Sequence, residues 1–234
     1  MRSLYRATRV RTLSHPAEGE WLLVDGRHIQ RVGSGEPPEA DRVVDLPGAT
    51  IIPGFIDAHV HLTGTGLHNA GPDLGGARSK DDLLGLVRDA ADTNNGPLLV
   101  HGFDETQWGD PTLPSITELD AASTDALVVV RADGHVSLAN SAAISASGAD
   151  GIEGTERDAK GWPTGRLRRE ANAAAQRWFH ANLPEHRIEQ YQLDAAGLAA
   201  SRGITCVHEM AMPDWRGMRD VEVLLSQRSK LPST

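Results

Sequence analysis

After residue 50 the chain repeats one pattern four times: a short aliphatic run, a polar turn, then a segment with helical periodicity. Thr50 to His61 (broken at Pro53-Gly54), Leu98 to Phe103, Leu127 to Arg131 and Ile204 to Met210 read as strands. Ser79 to Thr93, Asn140 to Ala146, Arg166 to Asn182, Glu185 to Ser201 and Asp214 to Arg228 read as helices. Ser79 is placed to cap the first of these, with Leu83, Leu84, Val87 and Ala91 on one face. Ser115 and Glu118 have the spacing of a capping box for a further short helix. Pro184 suits the first turn of its helix and Gly203 its stop. Fourfold strand–helix alternation argues an α/β fold with a parallel sheet and right-handed crossovers.

The first fifty residues carry a different signal. Trp21 to Val24 and Arg27 to Val32 flank Asp25-Gly26, a dipeptide suited to a tight hairpin because both residues tolerate positive φ. A short strand from Arg42 to Leu46 is expected to close at Pro47-Gly48. This divides the chain into a small β portion, 1–50, and an α/β portion, 51–234. Gly148 to Gly165, polar and glycine-rich, reads as a loop or flap.

Composition removes several classes of function. The chain has 23 Lys and Arg against 32 Asp and Glu, a formal charge of −9, so no basic face for nucleic acid is expected. The longest aliphatic stretch, Leu127 to Val130, is far short of the ~20 residues of a membrane span. Met1 to Leu13 holds four arginines with no apolar run behind them, unlike a secretory signal. The single cysteine, Cys206, excludes an internal disulfide framework, fits the cytoplasm, and inside its apolar run is expected to be a buried small hydrophobe.

In parallel α/β folds, ligands gather at the carboxyl ends of strands. A histidine stands at or just beyond the carboxyl end of each of the four runs: His59 and His61, His101, His135, and His208 followed by Glu209. Each of His101 and His208 is equally well read as a solvated loop residue. His59 and His61 are two apart on one strand, so both project to the same side about 6.5 Å apart along it and are able to chelate one ion. Asp57 shares their parity and either orients a ligand imidazole or satisfies nearby backbone. His135 is a candidate for contact with a substrate carbonyl, or else a helix cap. Asp104 and Trp108 are candidates for shaping a substrate pocket, with core packing the alternative for Trp108.

The string Pro53-Gly54-Phe55-Ile56-Asp57-Ala58-His59-Val60-His61 resembles the Pro-Gly-x-x-Asp-x-His-x-His signature of the amidohydrolase superfamily. His101 to Trp108, Arg131 to Ser141, Pro163 to Leu167 and Gly203 to His208 resemble segments of its amidohydrolase-3 branch, which includes N-substituted formamide deformylases. The resemblance implies a partial (β/α)8 (TIM-type) barrel of about four βα units, preceded by part of a small β-sandwich. It also implies a divalent metal, zinc by preference, held by His59 and His61, with His135 as catalytic residue and Asp104 and Trp108 at a small-molecule substrate. The reaction implied is hydrolysis of a non-peptide C–N bond, amide or formamide-like, by a metal-activated water. Many members carry an acidic residue where this chain has Arg169, with Glu170 next. A fourth-strand side chain bridges metals in some members, which makes His208 or Glu209 an additional candidate ligand.

The resemblance reaches only the front half of the family, and Lys230 to Thr234 carries no closing element, so the expectation is a fragment lacking later ligands. The alternative is a non-catalytic half barrel that self-associates or pairs with a separately encoded second half. A nucleotide-binding reading ranks last: Thr63 to Gly66 offers glycines, but Pro72 and Gly75-Gly76 interrupt the helix that a phosphate loop needs.

Overall fold

The computed structural model describes residues 1–213 and 217–232; Asp214 to Arg216 and Ser233-Thr234, on which part of the expected last helix and of the chain end fall, lie outside the described residues. The fold is mixed α/β with several sheets, and the chain divides into two compact units: Met1–Asp57 with Gly203–Cys206, and Ala58–Arg202 with Val207–Thr234.

The first unit carries a four-stranded sheet in the order β3-β2-β1-β4, formed by β1 (Arg2–Arg11), β2 (Glu18–Asp25), β3 (His28–Gly33) and β4 (Arg42–Ile51). β1 runs antiparallel to β2 and parallel to β4. Leu4, Trp21 and Leu23 form its small core. β1 escapes a reading by hydrophobic runs because charged residues interrupt it, and one of them, Arg6, is tied to Asp45 of β4 by Nε at 2.5 Å.

Two sequence expectations shift here. The hairpin pairs Asp25 with His28, so its central residues are Gly26 and Arg27, and only Gly26 takes positive φ (+59°). Pro47-Gly48 does not end β4. The strand lies at the sheet edge, where a missing N–H is tolerated, and the pairing with β1 resumes after a register shift with Gly48 at φ +79°.

The second unit is built on the sheet β6-β7-β8-β10-β9: β6 (Leu98–Phe103), β7 (Leu127–Arg131), β8 (Val136–Ala139), β9 (Thr155–Arg157) and β10 (Pro163–Arg168). Around it lie α1 (Leu62–Ala70), α2 (Lys80–Thr93), α3 (Ile116–Ala122), α4 (Ser141–Ser147), α5 (Arg169–Ala181), α6 (Glu185–Ser201) and α7 (Arg219–Ser226). Leu127 and Val129 pack into one apolar cluster with Leu83, Val87 and Leu119. Val128 and Val130 pack into another with Ile144, Ala175 and Phe179. A strand covered on both faces is why Leu127 to Val130 is continuously aliphatic. The caps form where read: Ser79 accepts the Asp82 N–H, and Ser115 and Glu118 form a reciprocal capping box.

The expected single parallel sheet is not what forms among the described residues. β6 and β7 are parallel, but the pairings of β7 with β8, β8 with β10, and β9 with β10 are all antiparallel. β5 (Phe55–Val60) and β11 (Ile204–Glu209) make a separate pair. Phe55 N–H meets the Gly203 carbonyl at 2.9 Å and Met210 N–H the Val60 carbonyl at 2.8 Å, so these two strands run the same way. The cause of the mixed sheet is local. Asp133-Gly134, with Gly134 at φ +75°, returns β7 directly into β8 instead of feeding a crossover helix. The segment read as a flap folds as strands β9 and β10, with Gly154, Gly161 and Gly165 all at positive φ. Arg166 to Arg168 belong to β10, and the helix begins only at Arg169. Among the described residues no helix is long and apolar enough to cross a membrane.

Candidate metal centre and substrate cavity

β5 delivers its two histidines together. The His59 and His61 ring centroids are 5.3 Å apart with planes at 87°. With metal–nitrogen bonds of ~2.0–2.1 Å, two imidazoles on one tetrahedral ion have centroids roughly 5.2 Å apart. The pair therefore fits an ion in donor type and spacing. His59 is exposed and His61 half-buried. Among the described residues no group of three or more His, Cys, Asp or Glu is arranged to hold a metal.

Strand alternation left His208 and Glu209 undecided, and the structure separates them. Glu209 accepts a hydrogen bond from the Leu62 N–H at 2.7 Å. Leu62 opens α1, whose N-cap is His61 and whose cap side chain makes no bond of its own. A carboxylate from β11 thus meets the positive end of that helix beside the His59-x-His61 pair. His208 is exposed. Cys206 is also exposed, contrary to expectation: β11 pairs with one strand only among the described residues, leaving its cysteine uncovered.

At the ends of β6 and β7 one guanidinium organises three carboxylates. Arg131 reaches Glu105 through Nε at 2.8 Å, Asp104 through Nη2 at 3.1 Å, and Asp133 through Nη1. Its side chain is 19% exposed and that of Glu105 only 12%. Glu105 raises the arginine's pKa. The Thr106 hydroxyl foremost, with Arg131 also contributing, holds the Asp104 carboxyl below its ordinary range. The His135 N–H does the same for Asp133, donating to it at 2.9 Å. Asp104 and His135 are therefore joined through Arg131 and Asp133. The charges of this cluster are all visible at strand ends in the sequence, but their convergence on Arg131 needs the pairing of β6 with β7.

His135 stands in the β7–β8 turn, followed by a strand, so it caps no helix; Asn140 does that for α4. It lines a cavity of about 960 Å³ together with Asp133, Glu153, Arg168, Arg169 and Asn172. Arg169 adopts a left-handed φ of +49°, uncommon for a residue other than glycine. Two backbone bonds fix that corner, Arg168 N–H to the Gly154 carbonyl and Ala171 N–H to the Glu153 carbonyl. Asn172 is buried and donates to the Gly134 carbonyl at 2.9 Å, bracing the turn that carries His135. Glu170 is paired with Arg177. Trp108 is 7% exposed, donates to the Ala77 carbonyl at 3.1 Å and packs beside Phe103 in the core.

A family model described as the amidohydrolase family matches residues 42–230. The protein LONG AFTER FAR-RED 3 of Arabidopsis thaliana is 31% identical over 240 residues, covering 93% of this chain and 41% of that protein. The N-substituted formamide deformylase of Arthrobacter pascens is 30% identical over 164 residues, covering 62% of this chain and 30% of its own length. Among solved structures, an uncharacterised metal-dependent hydrolase from Pyrococcus horikoshii superposes with a TM-score of 0.77 at 19% identity, over 100% of this chain and 47% of that one. The chain thus spans less than half the length of these relatives.

Proposed function

The chain belongs to the amidohydrolase family, and from that premise we propose that it forms the metal-bearing front part of a hydrolase that cleaves non-peptide C–N bonds, amide or formamide-like. In this reading β5, β6, β7 and β11 are the strands of a partial (β/α)8 barrel, with β1 to β4 contributing to a small β-sandwich. The observation that carries the reading is the His59–His61 pair, whose 5.3 Å ring separation suits one ion and which is flanked by Glu209 at the start of α1.

His59 and His61 would hold a divalent ion, zinc by preference since imidazole suits it, while Glu209 caps α1 beside them. When bound, the ion supplies Lewis-acid chemistry and acidifies a water for attack on a carbonyl carbon. His135, which lines the 960 Å³ cavity, would donate a hydrogen bond to the substrate carbonyl. Asp104 contributes indirectly, holding Arg131 and through it Asp133 and the turn that bears His135. Trp108 acts from the core, fixing the segment that follows β6.

Zinc content by elemental analysis, before and after His59→Ala and His61→Ala, tests the ligand assignment. Each substitution is expected to lower zinc affinity at least tenfold; unchanged zinc content in both variants overturns it. Turnover of N-substituted formamides and N-acyl amines by the metal-loaded chain tests the reaction class.

A second reading, a non-catalytic half barrel that self-associates or pairs with a separately encoded half, is favoured by the exposed apolar side chains beside and on β5: Ile52, Phe55 and Ile56 are 49%, 58% and 64% exposed. Sedimentation velocity separates the two, because this reading requires association and the first does not.

A further inference from the structure

We propose that His68 and His101 form a second site for a divalent transition-metal ion, one that does not depend on the His59–His61 pair. His68 lies near the end of α1 and His101 on β6. Their ring centroids are 5.4 Å apart with planes at 83°, again near the roughly 5.2 Å expected for two imidazoles sharing a tetrahedral ion.

Three further observations distinguish the pair from ordinary ring packing. Nδ1 of His101 is buried without a hydrogen-bond partner among the described residues. An imidazole nitrogen in that position is an unmet cost that a coordinate bond would remove. The backbone also bulges beside it. His101 pairs with Val130 and Phe103 with Arg131, so Gly102 is left over, at a φ of +120° that strongly favours glycine. Bulges re-aim neighbouring side chains, and a Cβ at Gly102 would lie 4.0 Å from His68 Cε1, so the two elements already meet there.

The local charge suits a cation. Asp104, Glu105 and Asp133 surround the single guanidinium of Arg131, leaving two net negative charges at the ends of β6 and β7. Two imidazoles select zinc, copper or nickel over magnesium or calcium. With water filling the remaining positions, the site is weaker than a closed four-ligand one.

The test is zinc titration of the metal-free His59→Ala/His61→Ala chain, followed by calorimetry and by long-range 1H–15N spectra of the imidazoles. One binding event is expected to remain, with the ring nitrogens of His68 and His101 shifting together. His68→Gln in that background is expected to weaken it at least tenfold. His68 is exposed, so this variant should keep the fold, which circular dichroism checks. No zinc binding by the double variant, or binding that His68→Gln leaves unchanged, overturns the site. A wild-type chain with a single event that His68→Gln removes supports this site and overturns the His59–His61 one.

Discussion

Glu209 and Leu62 are 147 positions apart in sequence, yet the carboxylate of the first accepts the backbone N–H of the second at 2.7 Å. The bond joins the end of β11 to the start of α1, next to the two histidines of β5. A partly buried, charge-assisted bond at a helix N-terminus contributes about 1–2 kcal/mol. Glu209→Ala is expected to cost that much in urea denaturation, and Glu209→Gln less, because the amide oxygen still accepts. Equal stability of all three proteins would show that the bond contributes nothing.

Gly66, in α1, faces the backbone of α6. A Cβ there would stand 2.0 Å from the Tyr191 carbonyl oxygen, a backbone atom that cannot swing aside. Gly66→Ala should therefore destabilise by about 2–3 kcal/mol, although alanine is the better helix former. A stabilising outcome, read from the thermal midpoint, would mean the two helices are not in contact.

Arg131 neutralises Glu105, Asp104 and Asp133 from a site only 19% exposed. Arg131→Met leaves three carboxylates facing one another. The expected loss is about 2 kcal/mol, below the full figure for a buried pair because Asp104 and Asp133 reach solvent. Arg131→Lys should recover only part of it, since a compact ammonium cannot span three separated carboxylates as the planar guanidinium fork does. Full recovery by lysine would reduce the cluster to a point-charge effect.

Glu118 has its pKa lowered from 4.5 to about 2, by Lys80 first and then by the capping bonds with Ser115. A carboxyl whose folded pKa is depressed stabilises the fold above its unfolded value, and that contribution fades as pH falls from about 4.5 toward 2. Glu118→Gln should flatten the stability profile across this window and leave the slope above pH 6 unaltered. The Glu118 side chain is 37% exposed, so solvent screening keeps the effect modest and it shrinks with added salt. Ser115→Ala removes the reciprocal half of the box and should cost about 1 kcal/mol.

Helix capping and the continuous aliphatic strand were legible because they depend on neighbours in the chain, whereas the turn at Gly26-Arg27 and the run of β4 past Pro47-Gly48 were not. Ser79, Ser115 and Glu118 cap where their spacing said, and Leu127 to Val130 is a strand covered on both faces. His59 and His61 also fall together because strand alternation alone puts them on one side. Trp108 shows the limit of such reading, since a pocket wall and a core residue have the same composition and only the Ala77 carbonyl at 3.1 Å tells them apart.

The sequence by itself thus determined where β5, β6, β7 and β11 and the helices α2 to α6 fall to within a few residues, which histidines share a strand face, and the family whose motif they complete. Tertiary structure alone decided that β7 folds back on β8, that β9 and β10 arise from a glycine-rich stretch, that Arg131 gathers three carboxylates, and that Glu209 caps α1. The division has one physical cause. Periodicity, capping and alternation act over a few residues and are written in the order of side chains, whereas strand pairing and ion clustering depend on which distant segments bury each other's backbone and charge. That choice is made by the whole chain at once.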